Sequence, residues 1–276
     1  MITAIILTKK GEENIEKCLK SVEFCDEIII VDDSDGGLHE NKGYRIRILH
    51  RKVWGDCAGQ RNWAMKQAKG DWVLFVDADE TVSPELQKEI VGEIRENKGR
   101  KGGYYIKRRE WFWGRKVKYG EIATARDKGI IRLVKKDKEI SPASDAVRND
   151  MDILNDNHCW QGKIHEVFVT DQATGQLKNY IDHYPHQTIS EFLHHINFYS
   201  SLRANELYKQ GKKTNIFSII IIPLFKFKYT YLIKLGFLDG VVGFIYSFMM
   251  AYHSFLVRGK LYLLTNSNNT VGSASK

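Results

Sequence analysis

Twice in the first eighty residues an apolar, β-branched run breaks directly into a cluster of carboxylates, and this repeated pattern narrows the possible folds most. Residues 27–31 (EIIIV) lead into Asp32-Asp33-Ser34-Asp35-Gly36-Gly37, and residues 72–76 (WVLFV) lead into Asp77-Ala78-Asp79-Glu80. Runs this short and this rich in Ile and Val read as strands buried on both faces. A similar run at 2–7 opens the chain, and the alternation across 44–50 predicts a further strand. Between them, residues 14–22 carry Ile15, Leu19 and Val22 at helical spacing, and 58–69 reads as a second helix. Strands and helices alternating in such short units predict an α/β domain with a mainly parallel, Rossmann-like sheet flanked by helices. Such sheets take ligands beyond the carboxyl ends of their strands, so the two acidic clusters should meet at one edge.

Ser83-Pro84-Glu85 starts the next helix with a capping serine and a proline in the first turn, and the helix should run to about Asn97. A basic, glycine-rich break follows at 98–103, then a strand at 104–109 and an aromatic–basic stretch at 111–115 (WFWGR) that could stack on a sugar face or pack as a lid. Residues 137–161 are polar and irregular and read as a long loop over the site. Residues 164–169 read as another strand.

The composition changes near Ser190. Residues 191–210 form an amphipathic helical pattern, followed by the apolar run 216–225. In the mixed stretch after it, Lys226, Lys228 and Lys234 interleave with aromatics. Residues 235–257 approach transmembrane length but are interrupted by Asp239. The expected organisation is a catalytic domain at 1–189, a helical region at 190–264 that is membrane-associated or dimerising, and a disordered tail at 265–276.

The 42 basic residues against 34 acidic ones leave a net charge of +8, which suits a nucleotide diphosphate or an acidic membrane surface. Nucleic acid has only this charge and the aromatic–basic stretch in its favour. The lack of G-x-G-x-x-G after the first strand counts against a dehydrogenase. The four cysteines have no C-x-x-C spacing and read as reduced packing thiols. No basic region precedes the first apolar run, which is also too short for a signal peptide. A cytoplasmic catalytic domain is therefore expected, attached peripherally to the inner face of the plasma membrane through basic and aromatic side chains in the headgroup region.

The carboxylates carry the chemistry. In a strand-to-loop turn, Asp77 and Asp79 can point toward one pocket, where they repel each other unless a cation lies between them. A hard divalent ion, Mg²⁺ or Mn²⁺, prefers oxygen ligands and shares them with substrate phosphates. A solvated acidic turn is the plainer alternative. Asp32-Asp33 can accept hydrogen bonds from a base N–H or a ribose hydroxyl, although turns rich in Asp, Ser and Gly also form without a ligand. His183-Tyr184-Pro185-His186 has spacing suited to a metal, with a proline turn carrying structural histidines as its alternative.

Taken in order, the strand ending at Thr8, then IIIVDDSDGG, GQRNWAMKQAKGDWVLFVDADE and KIHEVFV resemble family 2 glycosyltransferases of the GT-A fold over roughly residues 1–211. The segments HYPHQTISEFLHHINFYSSLRANELYKQGKK and GFLDGVVGF are similar to the bacterial lipopolysaccharide-core β-glucosyltransferase branch. The chain departs from that branch at Lys10-Gly11, where Asn-Glu is usual. The resemblance implies an inverting, metal-dependent transfer of a hexose from a nucleotide diphosphate sugar to a glycan or lipid-linked glycan acceptor. It implies that Thr8 and Asp33 contact the base and that Arg61 lies against it. Asp77 would face the ribose and Asp79 would bind the metal and diphosphate, with Asp77 the second candidate metal ligand. Some GT-A enzymes also use a late histidine on the metal. An inverting transfer needs a carboxylate to take the acceptor's proton as it attacks opposite the leaving group. Glu166, in His165-Glu166, is the expected base, and Asp145 is the second candidate. A polyprenyl-phosphate glycosyltransferase and a non-catalytic scaffold that retains a nucleotide-sugar pocket are the alternatives.

Overall fold

The computed structural model describes residues 1–8, 15–34, 45–52, 56–97, 100–121, 129–136, 158–162 and 167–271. The chain forms two compact units, Met1–Arg109 with Arg126–His183, and Glu110–Ala125 with Tyr184–Lys276.

The first unit opens as the alternation predicts: β1 (Ile2–Thr8), α1 (Ile15–Ser21), β2 (Glu27–Asp32), β3 (Ile46–His50), α2 (Cys57–Gln67) and β4 (Trp72–Asp77). These four strands are parallel in the order β3-β2-β1-β4. Their near-continuous apolar runs serve two cores at once, because successive strand residues face opposite sides. Ala4, Ile6, Ile28, Ile30, Leu74 and Val76 enter one core. Their neighbours Ile5, Ile29, Val31, Val73 and Phe75 enter the other.

After β4 come β5 (Glu80–Val82), α3 (Pro84–Glu96), β6 (Gly103–Phe112), β7 (Arg115–Val117), β8 (Ile130–Lys135), the pair β9 (His158–Gln161) and β10 (Val167–Thr170), and β11 (Thr174–His183). The sheet continues from β4 through β8, β6, β11 and β5. It is therefore mixed, where the sequence reading expected a mainly parallel sheet. β8 runs antiparallel to both β4 and β6, and β5 antiparallel to β11. The physical reason, visible at β6 and β7, is connectivity: two residues join these antiparallel neighbours, whereas a parallel neighbour needs a long crossover, usually helical. Ser83 caps α3 as expected, accepting from the Leu86 N–H at 3.3 Å.

The amino-end edge of the sheet is a closed polar network. Glu27 accepts from the Thr3 hydroxyl (2.8 Å), the Lys69 N–H (2.8 Å) and Arg47 (3.0 Å). Burial pushes its carboxyl up, but these donors outweigh burial and hold it below the usual range. Gly70 sits so close that an added Cβ would lie 2.8 Å from the Thr3 nitrogen. That edge is structural, and the carboxyl-end edge is left for chemistry.

In the second unit the end of β6 pairs with β7, Glu110 opposite Val117. Helices α4 (Ile189–Lys209), α5 (Ile216–Lys228) and α6 (Gly240–Val271) follow. Phe112, Val117, Phe192, Ile196, Val242 and Met249 form its core. Asp239, the charge that interrupts the apolar stretch, accepts the N–H groups of Lys118 (2.9 Å) and Tyr119 (2.7 Å). Lys226 pairs with Glu121. Residues 110–125 thus belong to the helical unit, although the sequence places them in the catalytic domain. Helix α6 also extends through Val271, into a stretch read from the sequence as a disordered tail. Thr265 there donates to the carbonyls of Leu261 (3.0 Å) and Tyr262 (2.9 Å), and elongating an existing helix costs far less than starting one.

Large apolar side chains nonetheless remain in solvent, among them Phe217 (69% exposed), Phe225 (68%) and Val241 (72%). Ile216–Ile233 and Gly236–Asn266 are each long and apolar enough, by length and composition, to cross a membrane.

Candidate functional site

β1 lies between β2 and β4, and this order brings three strand ends together. Thr8 pairs with Asp32, and Leu7 pairs with Val31 on one side and Asp77 on the other. From β1 the chain adds strands first on one side and then on the other. Such a switch point opens a crevice outside the carboxyl ends of the strands.

On the β2 side, Thr8 is buried, and its carbonyl accepts the Asp33 N–H at 2.9 Å. Asp32 is 1% exposed and folds the turn onto itself. It accepts from the Ser34 N–H and the Ser34 hydroxyl, both at 2.8 Å. Asp33, half-buried, follows it in the turn, with Lys52 donating to its carbonyl at 2.7 Å. The residue that shapes the turn is therefore Asp32, which the sequence motif did not separate from its neighbour.

On the β4 side, Arg61 and Asp77 meet. Asp56 caps α2, accepting from the Gly59 N–H at 2.9 Å, and the helix turns an unusually polar face inward. Arg61 (5% exposed) reaches Asp77 at 3.2 Å, with its guanidinium 5.0 Å above the Trp160 ring and 5.4 Å above Phe75. Asn62 exchanges two 2.8 Å hydrogen bonds with the backbone of Trp160, fixing the β9–β10 hairpin against α2. The string GQRNWAMKQ is thus buried by polar design and lacks a simple apolar face.

A second arginine completes this cluster. Arg132 of β8 donates to both oxygens of Asp77, at 3.2 Å to the first, and to Glu80 at 2.9 Å. Glu80 is wholly buried, and its other oxygen accepts the Asp77 N–H at 3.0 Å, with Arg108 3.6 Å away. Burial pushes the Asp77 carboxyl up, but the Arg132 and Arg61 guanidiniums pull harder and hold it far below the usual range. For Glu80, burial dominates over Arg132, and the neighbouring Asp77 charge raises its carboxyl further. Sequence reasoning missed Arg132 and the role of Glu80. The available signal was an arginine inside the apolar run IIRLV, since a charge in a buried strand requires a partner.

Asp79 has a different neighbour. Its carboxylate, 35% exposed, lies 3.2 Å from Nε2 of His183, 13% exposed, at the end of β11. The pairing β5–β11, His183 opposite Glu80, produces this approach. Of the histidines in the HYPH segment, His183 is the one brought to the acidic turn. A carboxylate oxygen beside an imidazole nitrogen is a donor pair that fits a divalent ion such as Mn²⁺. Asp77, the other candidate ligand, has both oxygens on arginines instead. Asp145 and Glu166, the candidate bases, lie outside the described residues, as do Lys10 and Gly11. Glu166 immediately precedes β10 in sequence.

The chain is related to known proteins over this region and beyond it. The sequence profile of Glycosyl transferase family 2 matches residues 3–145, more than half of the chain. An uncharacterized glycosyltransferase of Rickettsia typhi is 30% identical over 277 residues, covering 99% of this chain and 90% of that protein. The lipopolysaccharide core biosynthesis glycosyltransferase LpsC of Rhizobium meliloti is 27% identical over 269 residues, covering 95% and 92%. Among solved structures, S. aureus TarS 1–349 in complex with UDP-GlcNAc superimposes with a TM-score of 0.43 at 16% identity, covering 98% and 91%. An overlap of that size leaves the fold to be argued from the strand order itself.

Proposed function

The chain belongs to glycosyl transferase family 2, and from that membership we propose an inverting, metal-dependent transfer of a hexose from a nucleotide diphosphate sugar to a lipid-linked glycan. The observation that carries this reading is the Asp79–His183 pair, 3.2 Å apart beyond the end of β4. Its mixed oxygen and nitrogen donors favour Mn²⁺ over Mg²⁺. When bound there, the ion would supply positive charge to the departing diphosphate.

The remaining roles fall to the chain's own groups. Asp33, in the turn after β2, accepts from the base, and Thr8 supports that turn through its carbonyl. Asp77 holds Arg61 and Arg132 in place more than it binds metal, and Arg61 lines the nucleotide side. Glu166 takes the acceptor proton, with Asp145 as the second candidate. Glu166 precedes the β10 strand that Asn62 helps to anchor through β9. The similarity to LpsC supports an acceptor of the lipopolysaccharide-core type. The exposed apolar helices α5 and α6, with Lys228 at the end of α5 and Lys234 between the two helices, support peripheral attachment to the cytoplasmic face of an anionic membrane.

Thermal shift with UDP-, GDP- and ADP-sugars, each with and without Mn²⁺, tests the donor half. Metal-dependent stabilisation by one base supports the reading, and no stabilisation by any of them removes it. The same exposed helices would also suit a polyprenyl-phosphate acceptor, which needs little general-base help. An undiminished rate in Glu166→Gln would favour that acceptor.

A further inference from the structure

We infer that His186, Glu191 and His195 form a second divalent-metal site, of the zinc type, where the turn after β11 enters α4. All three residues belong to the second unit, and one ligand atom from each lies within 4.8 Å of the others. Two imidazole nitrogens and one carboxylate oxygen make a donor set that suits Zn²⁺. Metal bonds of about 2.0–2.1 Å place tetrahedral ligands about 3.4 Å apart, so the three side chains need move by only about 1 Å to close on an ion. The fourth position would be left to water or a further ligand.

The local backbone is arranged for this convergence. Glu191 and His195 are four residues apart and share one face of α4. His186 reaches the same face because its backbone is left-handed (φ 52°), an uncommon state for a residue with a Cβ. Its ring is stacked on Phe192 at 4.4 Å and meets the His195 ring edge-on at 4.7 Å. Packing thus places one imidazole beside the other. A residue held in such a backbone state invites a functional explanation when its side chain converges on others.

Structural duties are also visible at Glu191 and His195, and each of these two keeps an atom for an ion. Thr188 caps α4 through the Glu191 N–H (3.1 Å), and Glu191 reaches back to the Gln187 N–H (2.7 Å). That contact occupies Oε2 of Glu191 and leaves Oε1 without a hydrogen bond among the described residues. His195 has ring contacts with His186, His194 and Tyr199 but no hydrogen bond to either nitrogen among the described residues. An ion at this point would clasp the turn to the first two turns of α4.

The test uses the full chain stripped of metal, in an Asp79→Asn/His183→Asn background that silences the other candidate site. Zn²⁺ is the probe, measured by equilibrium dialysis and elemental analysis, with Co²⁺ absorption reporting geometry. His195→Gln sits on the helix surface, His186→Asn tolerates the left-handed backbone, and Glu191→Gln keeps the capping acceptor. The background should retain one Zn²⁺ per chain and give tetrahedral Co²⁺ bands. His195→Gln and His186→Asn should each weaken Zn²⁺ by at least ~10-fold, the lower end of what even an outer partner is worth. Zn²⁺ should raise the melting temperature of the background but not of His195→Gln. Failure of the background to bind Zn²⁺, or undiminished binding in both histidine variants, overturns the assignment.

Discussion

The two units put apolar side chains to opposite uses. In the first, Ile5, Ile29 and Phe75 are wholly buried between a sheet and its helices. In the second, Phe217, Phe225 and Val241 stand more than two-thirds exposed. Their charges differ in the same sense. The first unit buries Glu27, Glu80 and Arg132, each tied to partners, whereas the second keeps most of its charges at the surface. The first unit is therefore a frame in which burial places charges. The second leaves large apolar rings exposed, which is what the proposed membrane attachment would use.

Breaking the frame should give the largest effect. Arg132→Met removes the 2.9 Å ion pair of the wholly buried Glu80 and leaves the Arg108 guanidinium farther off, at 3.6 Å. Removing one partner of a buried pair costs about 3 kcal/mol. For a domain of this size that lowers the melting temperature by roughly 6–12 °C by calorimetry. An unchanged melting temperature would mean that the buried charges do not brace the site.

The complementary change belongs in the second unit. Phe217→Glu with Phe225→Glu should leave the melting temperature within about 2 °C, because both positions face solvent. Flotation with anionic phospholipid vesicles should nevertheless fall by ~10-fold or more, since burying each ring is worth about 1.5–3 kcal/mol. Equal flotation would take these helices out of the membrane.

Helix caps sharpen the contrast on a smaller scale. Ser83→Ala, at a buried cap in the first unit, should cost about 1 kcal/mol in denaturant unfolding. Thr188→Ala, at an exposed cap, should cost about 0.5 kcal/mol. The acid limb is the finest test. The folded Asp77 carboxyl is depressed by Arg132 and Arg61, so its contribution is complete above the unfolded value of about 3.9. It is lost only as pH falls below that value toward the folded one. Asp77→Asn should therefore flatten the loss of stability below about pH 4 and leave the dependence above it unchanged.

The parallel half of the fold and the acidic edge were legible in the sequence because strand period, helix spacing and caps are local signals. Ile28 to Val31 announces a doubly buried strand without any knowledge of its neighbours. The antiparallel half was not legible in the same way. β11 reads TGQLKNYIDH, and its buried apolar residues Leu177 and Ile181 are too sparse to announce a ten-residue strand. The Asp79–His183 approach depends on that strand's register with β5, which no spacing along the chain reveals. Likewise, nothing near Asp77 in sequence tells that Arg132 holds it, so two carboxylates that read alike take different partners.

Mn²⁺-dependent donor binding separates the roles of Asp77 and Asp79. The sugar nucleotide that stabilises the wild type most should be titrated with Mn²⁺ into Asp79→Asn, His183→Gln and Asp77→Asn. The account predicts that Asp79→Asn abolishes the Mn²⁺-dependent part of binding and that His183→Gln weakens it by ~10-fold or more. Asp77→Asn should retain that metal dependence at lower stability. Full Mn²⁺ dependence in Asp79→Asn, with its loss in Asp77→Asn, would contradict the account.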